Sequence, residues 1–274
     1  MKTFTTLFYL GLTNQHLTKE TGLIGYYMYK RFGYKSKIIT PEIKGEEYPE
    51  AKFINGVEIV SKKGFKIGLI HFGLIGYLLK NSKKTDILNL FHFSLPSLFY
   101  GLIYKLLNKR GFIYLKLDYN INLFKDNGYK IYNINPIINV ISTPFENLLI
   151  NICNIISVEA EEGENLLKNY NKRFEKNLIC MPNGADDINI KNAIGHINSF
   201  QEKENLIITV GRNGTYQKNT EMLLNIISNT NLKNWKIKII GSIDNVFIEK
   251  IKKFFKEYPH FKTIVEFTGP KTKK

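Results

Sequence analysis

Residues 206–221, LIITVGRNGTYQKNTE, decide the fold of this chain. The apolar, mainly β-branched run 206–210 predicts a buried parallel strand. Gly211 and Gly214 follow directly and allow the backbone to turn sharply. Thr220 is then placed to cap a helix. The apolar positions of that helix fit a period of about 3.6 residues: Leu223, Leu224 and Ile227. The stretch therefore predicts a strand, a glycine turn and a helix, as in parallel α/β domains.

Two cations lie in this turn, and they indicate an anion site. Arg212 offers a planar fork of donors to phosphate oxygens, whereas Lys218 brings a compact charge that can follow a phosphate as it leaves. The N-terminus of a helix also attracts anions. The alternative is that both residues are ordinary loop cations, since Gly-x-x-Gly turns are common. Spacing alone leaves the two interpretations open.

Four further stretches give the turn a wider context. The turn itself resembles the GR…K signature that opens the second domain of glycosyltransferase family 4, a group of retaining sugar transferases with the GT-B architecture. The other stretches resemble the strands and turns around that signature, in the family's order: IISVEAEEGENLLKNY (155–170), NLICMPNGADD (177–187), WKIKIIGS (235–242) and TIVEFTG (263–269).

The resemblance implies a fold and an activity. The fold is α/β and GT-B-like, with two Rossmann-like parallel-sheet domains, the second incomplete with about three strands. The activity is a hexosyltransferase type of reaction that moves a sugar from a nucleotide-sugar to an acceptor hydroxyl with retention. Gly211, Arg212, Gly214 and Lys218 would bind the donor diphosphate, with no metal and no cofactor. The acceptor would be a cell-surface polysaccharide or a lipid-linked glycan.

Strand-like and helix-like runs alternate along the chain, which predicts βαβ units. We expect an acceptor-binding domain at 1–185, a linker at 186–204 and a partial nucleotide-sugar-binding domain at 205–274. The predicted strands of the first domain are 5–10, 37–40, 57–60, 86–91, 112–117, 155–158 and 178–181. Those of the second domain are 206–210, 236–241 and 263–267. Residues 118–136 are interpreted as a loop.

Helices are predicted between several strands of the first domain, and two of them have recognisable local signals. Thr143, Pro144 and Glu146 place a capping hydroxyl, a first-turn proline and a reciprocal carboxylate at a helix start. Residues 91–107, FHFSLPSLFYGLIYKLL, contain Pro96 and Lys105 and predict a buried or interfacial helix. No run of about 18 or more apolar residues predicts a membrane span.

The carboxyl edge of the first sheet provides the other candidate site residues, because ligands of parallel sheets gather there. His92 and Asp118 each follow a predicted strand, and we expect them at the catalytic centre. His92 resembles a histidine that contacts the donor sugar in the family, and a histidine packed under the next helix is the alternative. For Asp118 the alternative is a turn-forming residue. Gly22, Asn183 and Gly184 are expected to line the interdomain cleft.

The chain ends shortly after Gly269, where members of the family continue to a loop with a pair of glutamates. We therefore expect a truncated product that lacks the wall for base, ribose and sugar. Turnover should be low or absent. The first strand of the second domain should be an exposed apolar edge. The alternative function is a non-catalytic remnant that binds a membrane or a partner.

Composition limits the partners. The chain has 274 residues, 43% apolar content and a formal net charge of +15. That charge fits either an anionic membrane surface or a plain solvated surface. Basic residues beside aromatics, at 29–32 and at Tyr104 with Lys105, favour the membrane. Nucleic acid binding would depend on charge alone and is not expected. Two distant cysteines and no signal peptide indicate a cytoplasmic protein. A location at the inner face of the membrane stays open beside a freely dissolved one.

Overall fold

The computed structural model describes residues 1–117, 136–184, 195 and 199–271, with side chains of the second range from 143 onward. The chain forms two compact units, Met1–Ala185 and Asp186–Lys274. The predicted domain boundaries stay predictions, because most of residues 185–198 lie outside the described part.

The first unit is built on a parallel sheet of seven strands in the order β3-β2-β1-β6-β7-β8-β9. The seven strands are β1 (Thr3–Leu7), β2 (Lys35–Pro41), β3 (Val57–Lys62), β6 (Ile87–Phe91), β7 (Phe112–Lys116), β8 (Ile155–Val158) and β9 (Leu178–Cys180). Two short strands, β4 (Lys66–Ile67) and β5 (Ile70–His71), form a separate antiparallel hairpin. The strand order reverses at β1, which places a topological switch point between β1 and β6.

The helices of the first unit cover the two sides of the sheet unequally. The α-helices are α1 (Glu20–Phe32), α2 (Phe72–Asn81), α3 (Leu95–Leu107), α4 (Pro136–Ile152) and α5 (Glu161–Tyr170). Ile38 packs in a cluster with Tyr26 of α1, and the next residue, Ile39, packs in a cluster with Leu74 of α2. Successive strand residues face opposite sides, so α1 and α2 lie on opposite sides of the sheet.

The larger cluster also contains residues from α3, α4 and α5, such as Tyr100, Leu149 and Leu167. These helices therefore share the side of α2. Right-handed crossovers explain the division, because connections toward β3 and connections toward β9 must pass on opposite sides.

The second unit has a parallel three-stranded sheet in the order β10-β11-β12. Its elements are β10 (Leu206–Val210), α6 (Thr220–Ser228), β11 (Lys236–Ile240), α7 (Asn245–Glu257) and β12 (Val265–Gly269). Its core contains Leu224 from α6, Ile239 from β11 and Phe247 from α7. In the described residues β10 is an edge strand, and Ile208 and Val210 are exposed. The predicted apolar edge is thus confirmed, whereas the prediction that this strand is buried was wrong, because the described residues cover it on one side only.

All ten predicted strands are present within a few residues of their predicted bounds, and the α/β class with parallel sheets is confirmed. Residues 118–135 of the predicted loop lie outside the described part. The predicted buried helix is α3, in which Tyr100 is fully buried. No α-helix within the described ranges is both long and apolar enough to cross a bilayer.

Two predictions about helices and surfaces were wrong. Pro144 lies inside α4, which already begins at Pro136. Burial of Leu149 and Ile150 in the core outweighs the backbone hydrogen bond that the proline removes. Tyr104 is fully buried, and its hydroxyl donates to the Thr85 carbonyl at 2.8 Å. It therefore presents no aromatic surface beside Lys105.

Candidate functional site

The glycine turn of the second unit has the tight geometry that its sequence predicts. Gly214 has a φ of +87°, and a Cβ atom there would lie 2.4 Å from the Phe247 Cβ. A Cβ atom on Gly241 would lie 1.9 Å from the Gly211 carbonyl oxygen. The Gly211 N–H donates to the Ile240 carbonyl at 2.9 Å. Larger residues would push the loops after β10 and β11 apart.

Arg212 and Lys218 both lie in this turn. The aliphatic part of Lys218 lies across Gly211, since a Cβ atom on that glycine would be 3.0 Å from the Lys218 Cε. The Arg212 Nη2 donates to Gln217 Oε1 at 2.9 Å, next to Lys218 in sequence. Both cations are exposed. The arrangement places two positive charges beside the start of α6, where an anion would also meet the helix N-terminus.

The helix cap differs from the prediction. Asn219, with φ 42° and ψ 44°, is the N-cap of α6, and its side chain accepts from the Met222 N–H. Thr220 is instead the first helical residue, and its Oγ1 accepts from the Gly214 N–H at 3.2 Å. The predicted role of Thr220 as cap was therefore wrong. The Thr220 hydroxyl stabilises the glycine turn instead. Asn219 takes the cap position in a left-handed conformation, which asparagine tolerates.

In the first unit, His92 follows β6 at the carboxyl edge of the sheet, beside the switch point. Its φ is +65°, a left-handed conformation that costs a non-glycine residue about 1–3 kcal/mol. The Ser97 Oγ lies 2.8 Å from the His92 carbonyl and donates to it. The His92 N–H donates to the Lys116 carbonyl at 3.0 Å. The surrounding hydrogen bonds thus hold the strained residue in place.

Lys116 is a site residue that the sequence interpretation missed. It ends β7, and its side chain is only 3% exposed. Its Nζ lies 3.0 Å from both Glu159 Oε1 and Asn183 Oδ1. A lysine inside the otherwise apolar run FIYLKL was the available signal, because lysine is almost never buried unless it is paired.

Asn183 and Gly184 lie at the polar end of a cavity of about 540 Å³ on the α1 side of the sheet. Lys116 and Glu20 line the same end. The remaining lining is mostly apolar and includes Leu23, Ile24, Tyr27, Ile87, Phe112 and Ile155. Gly22 lies in the first turn of α1, where a Cβ atom would be 2.0 Å from the Leu17 carbonyl oxygen. Its tight packing is therefore a structural reason for glycine there.

A second histidine, His16, lies near His92 and was also missed. Its Nδ1 is 3.0 Å from the Thr13 backbone N, which donates to it. Burial is the main cause that lowers the pKa of His16 below its usual value, and Lys19 and His92 lower it further, while the Glu46 carboxylate opposes the shift. The carboxyl edge of this sheet therefore carries two histidines, and burial favours the neutral form of His16.

The remaining predictions about the site are not tested. Asp118 lies outside the described residues. The described ranges contain no group of three or more His, Cys, Asp or Glu side chains that could hold a metal ion. The structure gathers His92, Asn183 and Gly184 at one edge of the first unit. It separately gathers Gly211, Arg212, Gly214 and Lys218 in one turn of the second unit.

No protein-family model matches the chain, and no curated protein matches it in sequence. Solved structures do resemble it. HepE from Anabaena in complex with UDP-glucose is similar at a TM-score of 0.62 and 10% identity, over 100% of this chain and 70% of that one. The lipopolysaccharide outer core galactosyltransferase WaaB is similar at 0.59 and 11%, over 99% and 69%.

A third similar structure is not a transferase. UDP-GlcNAc 2-epimerase from Neisseria meningitidis bound to UDP-GlcNAc has a TM-score of 0.55 and 10% identity, over 99% of this chain and 73% of that one. At such low identities the likeness concerns the fold alone. The fold is therefore GT-B-like, with two Rossmann-like α/β units of which the second is the smaller.

Proposed function

We propose that this chain binds a nucleoside-diphosphate sugar and is a glycosyltransferase of the family 4 kind. The observation that carries the proposal is the turn after β10, where Arg212 and Lys218 lie beside the start of α6. Charge-assisted hydrogen bonds from both cations, together with the helix N-terminus, suit a diphosphate. The similar structures of HepE and the epimerase contain UDP or UDP-sugars, which makes uridine the first base to test.

The proposed reaction transfers the sugar to an acceptor hydroxyl with retention of configuration. Negative charge grows on the diphosphate as the glycosidic bond breaks. Arg212 and Lys218 therefore stabilise the transition state more than the ground state. In this mechanism the two side chains supply the positive charge, and no metal or cofactor is required. Removing one such donor typically slows a reaction by about 100- to 1000-fold.

The first unit is proposed to bind the acceptor, a cell-surface polysaccharide or a lipid-linked glycan. His92 is the candidate that contacts the reacting sugar, and its strained backbone is typical of residues held for function. Lys116 is a positioning residue, because its carbonyl accepts from the His92 N–H and its Nζ holds Asn183. Asp118, Gly22 and Gly184 remain proposed contacts around this edge. We place the protein in the cytoplasm, in contact with an anionic membrane surface.

Low turnover is part of the proposal. In the described residues, β10 has a neighbour only on the side of β11, whereas ligands of doubly wound sheets lie in a crevice flanked by strands on both sides. Orientation of reactants can contribute about 7–11 kcal/mol to a reaction, so a site with strands on one side only would transfer the sugar slowly. The exposed edge of β10 also supports a second candidate function. In it the chain is a non-catalytic module that retains the diphosphate site and binds a partner or a membrane.

The test is incubation of the purified chain with radiolabelled UDP-glucose, UDP-galactose and UDP-GlcNAc, followed for hours. We expect slow sugar release or transfer that is lost in the double variant Arg212→Ala, Lys218→Ala. The control is Lys203→Ala, another exposed cation of the second unit. Release that is equal in the double variant would contradict the proposed site. Donor binding without any release would favour the non-catalytic module.

A further inference from the structure

The β4–β5 hairpin is a small projection at the carboxyl edge of the first sheet. It follows the end of β3 and leads directly into α2. Lys66 pairs with His71 and Ile67 pairs with Ile70. The Phe72 N–H donates to the Phe65 carbonyl at 3.1 Å, which extends the ladder by one more pair. No sequence motif predicts a function for this segment.

The two faces of the hairpin have opposite character. Residues in a strand alternate between faces, and residues paired across strands share a face. His71 is buried, so the face that it shares with Lys66 points inward at that position. The other face carries Phe65, Ile67, Ile70 and Phe72. It consequently points outward.

This outward face is apolar and accessible. Phe65 is 64% exposed and Ile67 is 67% exposed, while Leu69 at the turn is 55% exposed. The rings of Phe65 and Phe72 stack with their centroids 4.1 Å apart. An antiparallel pair that faces water normally carries polar side chains on its outer side. The hairpin inverts that pattern, and a contiguous exposed apolar patch marks an interaction surface.

Specific contacts hold the hairpin to the body of the unit. The His71 backbone N–H donates to the buried Tyr100 hydroxyl at 2.7 Å. A Cβ atom on Gly64 would lie 2.8 Å from the Gly73 backbone N, so the chain before the hairpin packs closely on the start of α2. The apolar face is therefore presented by a fixed element.

Three lysines lie in or just before the hairpin. Lys66 is on the face opposite the apolar one but is exposed, and its long side chain is able to reach the lipid head groups. Lys62 and Lys63 precede the hairpin and Lys66 lies within it. Lys63 and Lys66 are exposed, and Lys62 is half-buried with its Nζ 5.6 Å from the centre of the Tyr77 ring. Glu42 is the nearby acidic group, 3.9 Å from the Lys63 Nζ, and both side chains are largely exposed. Such a pair contributes little, so the three lysines keep their positive charge. Lys62, Lys63 and Lys66 are called the basic collar below.

We propose that the β4–β5 hairpin inserts its apolar face into the head-group region of an anionic lipid bilayer. Apolar side chains at the tip enter the interface, while the lysines meet the negative lipid surface. A projecting tip with a basic collar matches a bilayer in both shape and charge. This charge complementarity distinguishes a bilayer from a second copy of this strongly basic chain.

The position of the hairpin has a consequence for the acceptor. His92 and Lys116 lie at the same carboxyl edge of the sheet. Membrane contact through the hairpin therefore brings the proposed acceptor site toward the lipid surface, which favours a lipid-linked acceptor. This last step rests on the proposed function, whereas membrane binding itself does not. The basic and aromatic end of α1 lies at the opposite edge, because α1 runs back toward the start of β2.

The experiment is co-sedimentation of the full chain with vesicles of phosphatidylcholine alone or with 30% phosphatidylglycerol. Ile67→Ser is compared with Phe32→Ser, a matched control because Phe32 at the other edge is 68% exposed. Lys66→Glu is compared with Arg31→Glu. We expect binding only to the anionic vesicles. Lys66→Glu should weaken it by at least fivefold, since each cation near the surface contributes about 1 kcal/mol.

A second measurement tests how deeply the hairpin tip enters the bilayer. Leu69→Trp and Phe32→Trp are each placed in a Trp235→Phe background, and quenching by brominated lipid is measured. We expect quenching at position 69 and little at position 32. Quenching at position 32 alone, equal losses in both members of each pair, or no vesicle binding would overturn the proposal. UDP binding by Ile67→Ser, measured in parallel, is expected to be unchanged, so a failure here is distinguishable from failure of the donor site.

Discussion

The Lys116 carbonyl oxygen accepts a hydrogen bond from the His92 backbone N–H at 3.0 Å, while the Lys116 ammonium lies 3.0 Å from Asn183 Oδ1. One residue at the end of β7 thus connects the ends of β6 and β9 across the carboxyl edge of the sheet. The carbonyl constrains the backbone of a strained histidine, and the side chain holds an asparagine. Lys116 therefore both stabilises the edge of the sheet and positions the residues proposed to contact the reacting sugar.

The strain at His92 predicts an unusual order of stabilities. His92→Gly should be more stable than His92→Ala by about 1 kcal/mol, because only glycine adopts a φ of +65° without cost. Both variants lack the imidazole, so its contacts cancel in the comparison. Urea unfolding of the two proteins measures the difference. Equal stability, or a more stable alanine variant, would show that the left-handed conformation is not retained.

The buried lysine predicts a non-additive pair of substitutions. Glu159→Ala removes the carboxylate partner of Lys116 and should destabilise the first unit by about 1–2 kcal/mol, because a buried charge loses its counterion. Lys116→Met should cost less, since Glu159 is partly exposed and remains solvated. Adding Lys116→Met to Glu159→Ala should therefore restore stability. A double variant less stable than Glu159→Ala, measured by denaturant unfolding, would contradict this account.

His16 predicts a pH dependence of stability. Its folded pKa lies below its unfolded value of about 6.5, mainly because of burial. The unfolded chain therefore binds the proton more readily. The contribution of neutral His16 is present above pH 6.5 and is lost as the pH falls below that value. Protonation of Nδ1 would also remove the acceptor of the Thr13 N–H.

The matched variant is His16→Asn, which cannot titrate. The free energy of unfolding, measured at pH 7.5 and pH 5.5, should fall more in the wild-type chain than in this variant. An equal fall in both proteins would assign the pH dependence to other groups.

Sequence patterns predicted the strands well because the physical signal is local. Runs such as 206–210 and 155–158 are rich in β-branched residues, and their strands were found at the predicted places. The helix start at Thr143 and Pro144 was wrong because packing of the later turns outweighed the local proline signal. The β4–β5 hairpin was missed because two paired residues in each strand leave no measurable periodicity.

The candidate site was predictable only in part. The glycines and cations of one short turn predicted the candidate diphosphate site of the second unit, although their spacing alone left the ordinary loop interpretation open. The role of Lys116 depends on contacts with Glu159 and Asn183, which are distant in sequence. Such contacts follow from strand order, and a single sequence does not encode that order in any local pattern.

Arg212 and Lys218 are proposed to bind the diphosphate of a nucleotide, and calorimetry with UDP measures that binding. Uridine and the Lys203→Ala variant serve as controls. Wild type and Lys203→Ala should bind UDP equally, and neither should bind uridine comparably. Arg212→Ala and Lys218→Ala should each raise the Kd about 10- to 100-fold, since a hydrogen bond to a charged group contributes about 1.5–3 kcal/mol. An unchanged Kd for UDP in Arg212→Ala and Lys218→Ala would contradict the account.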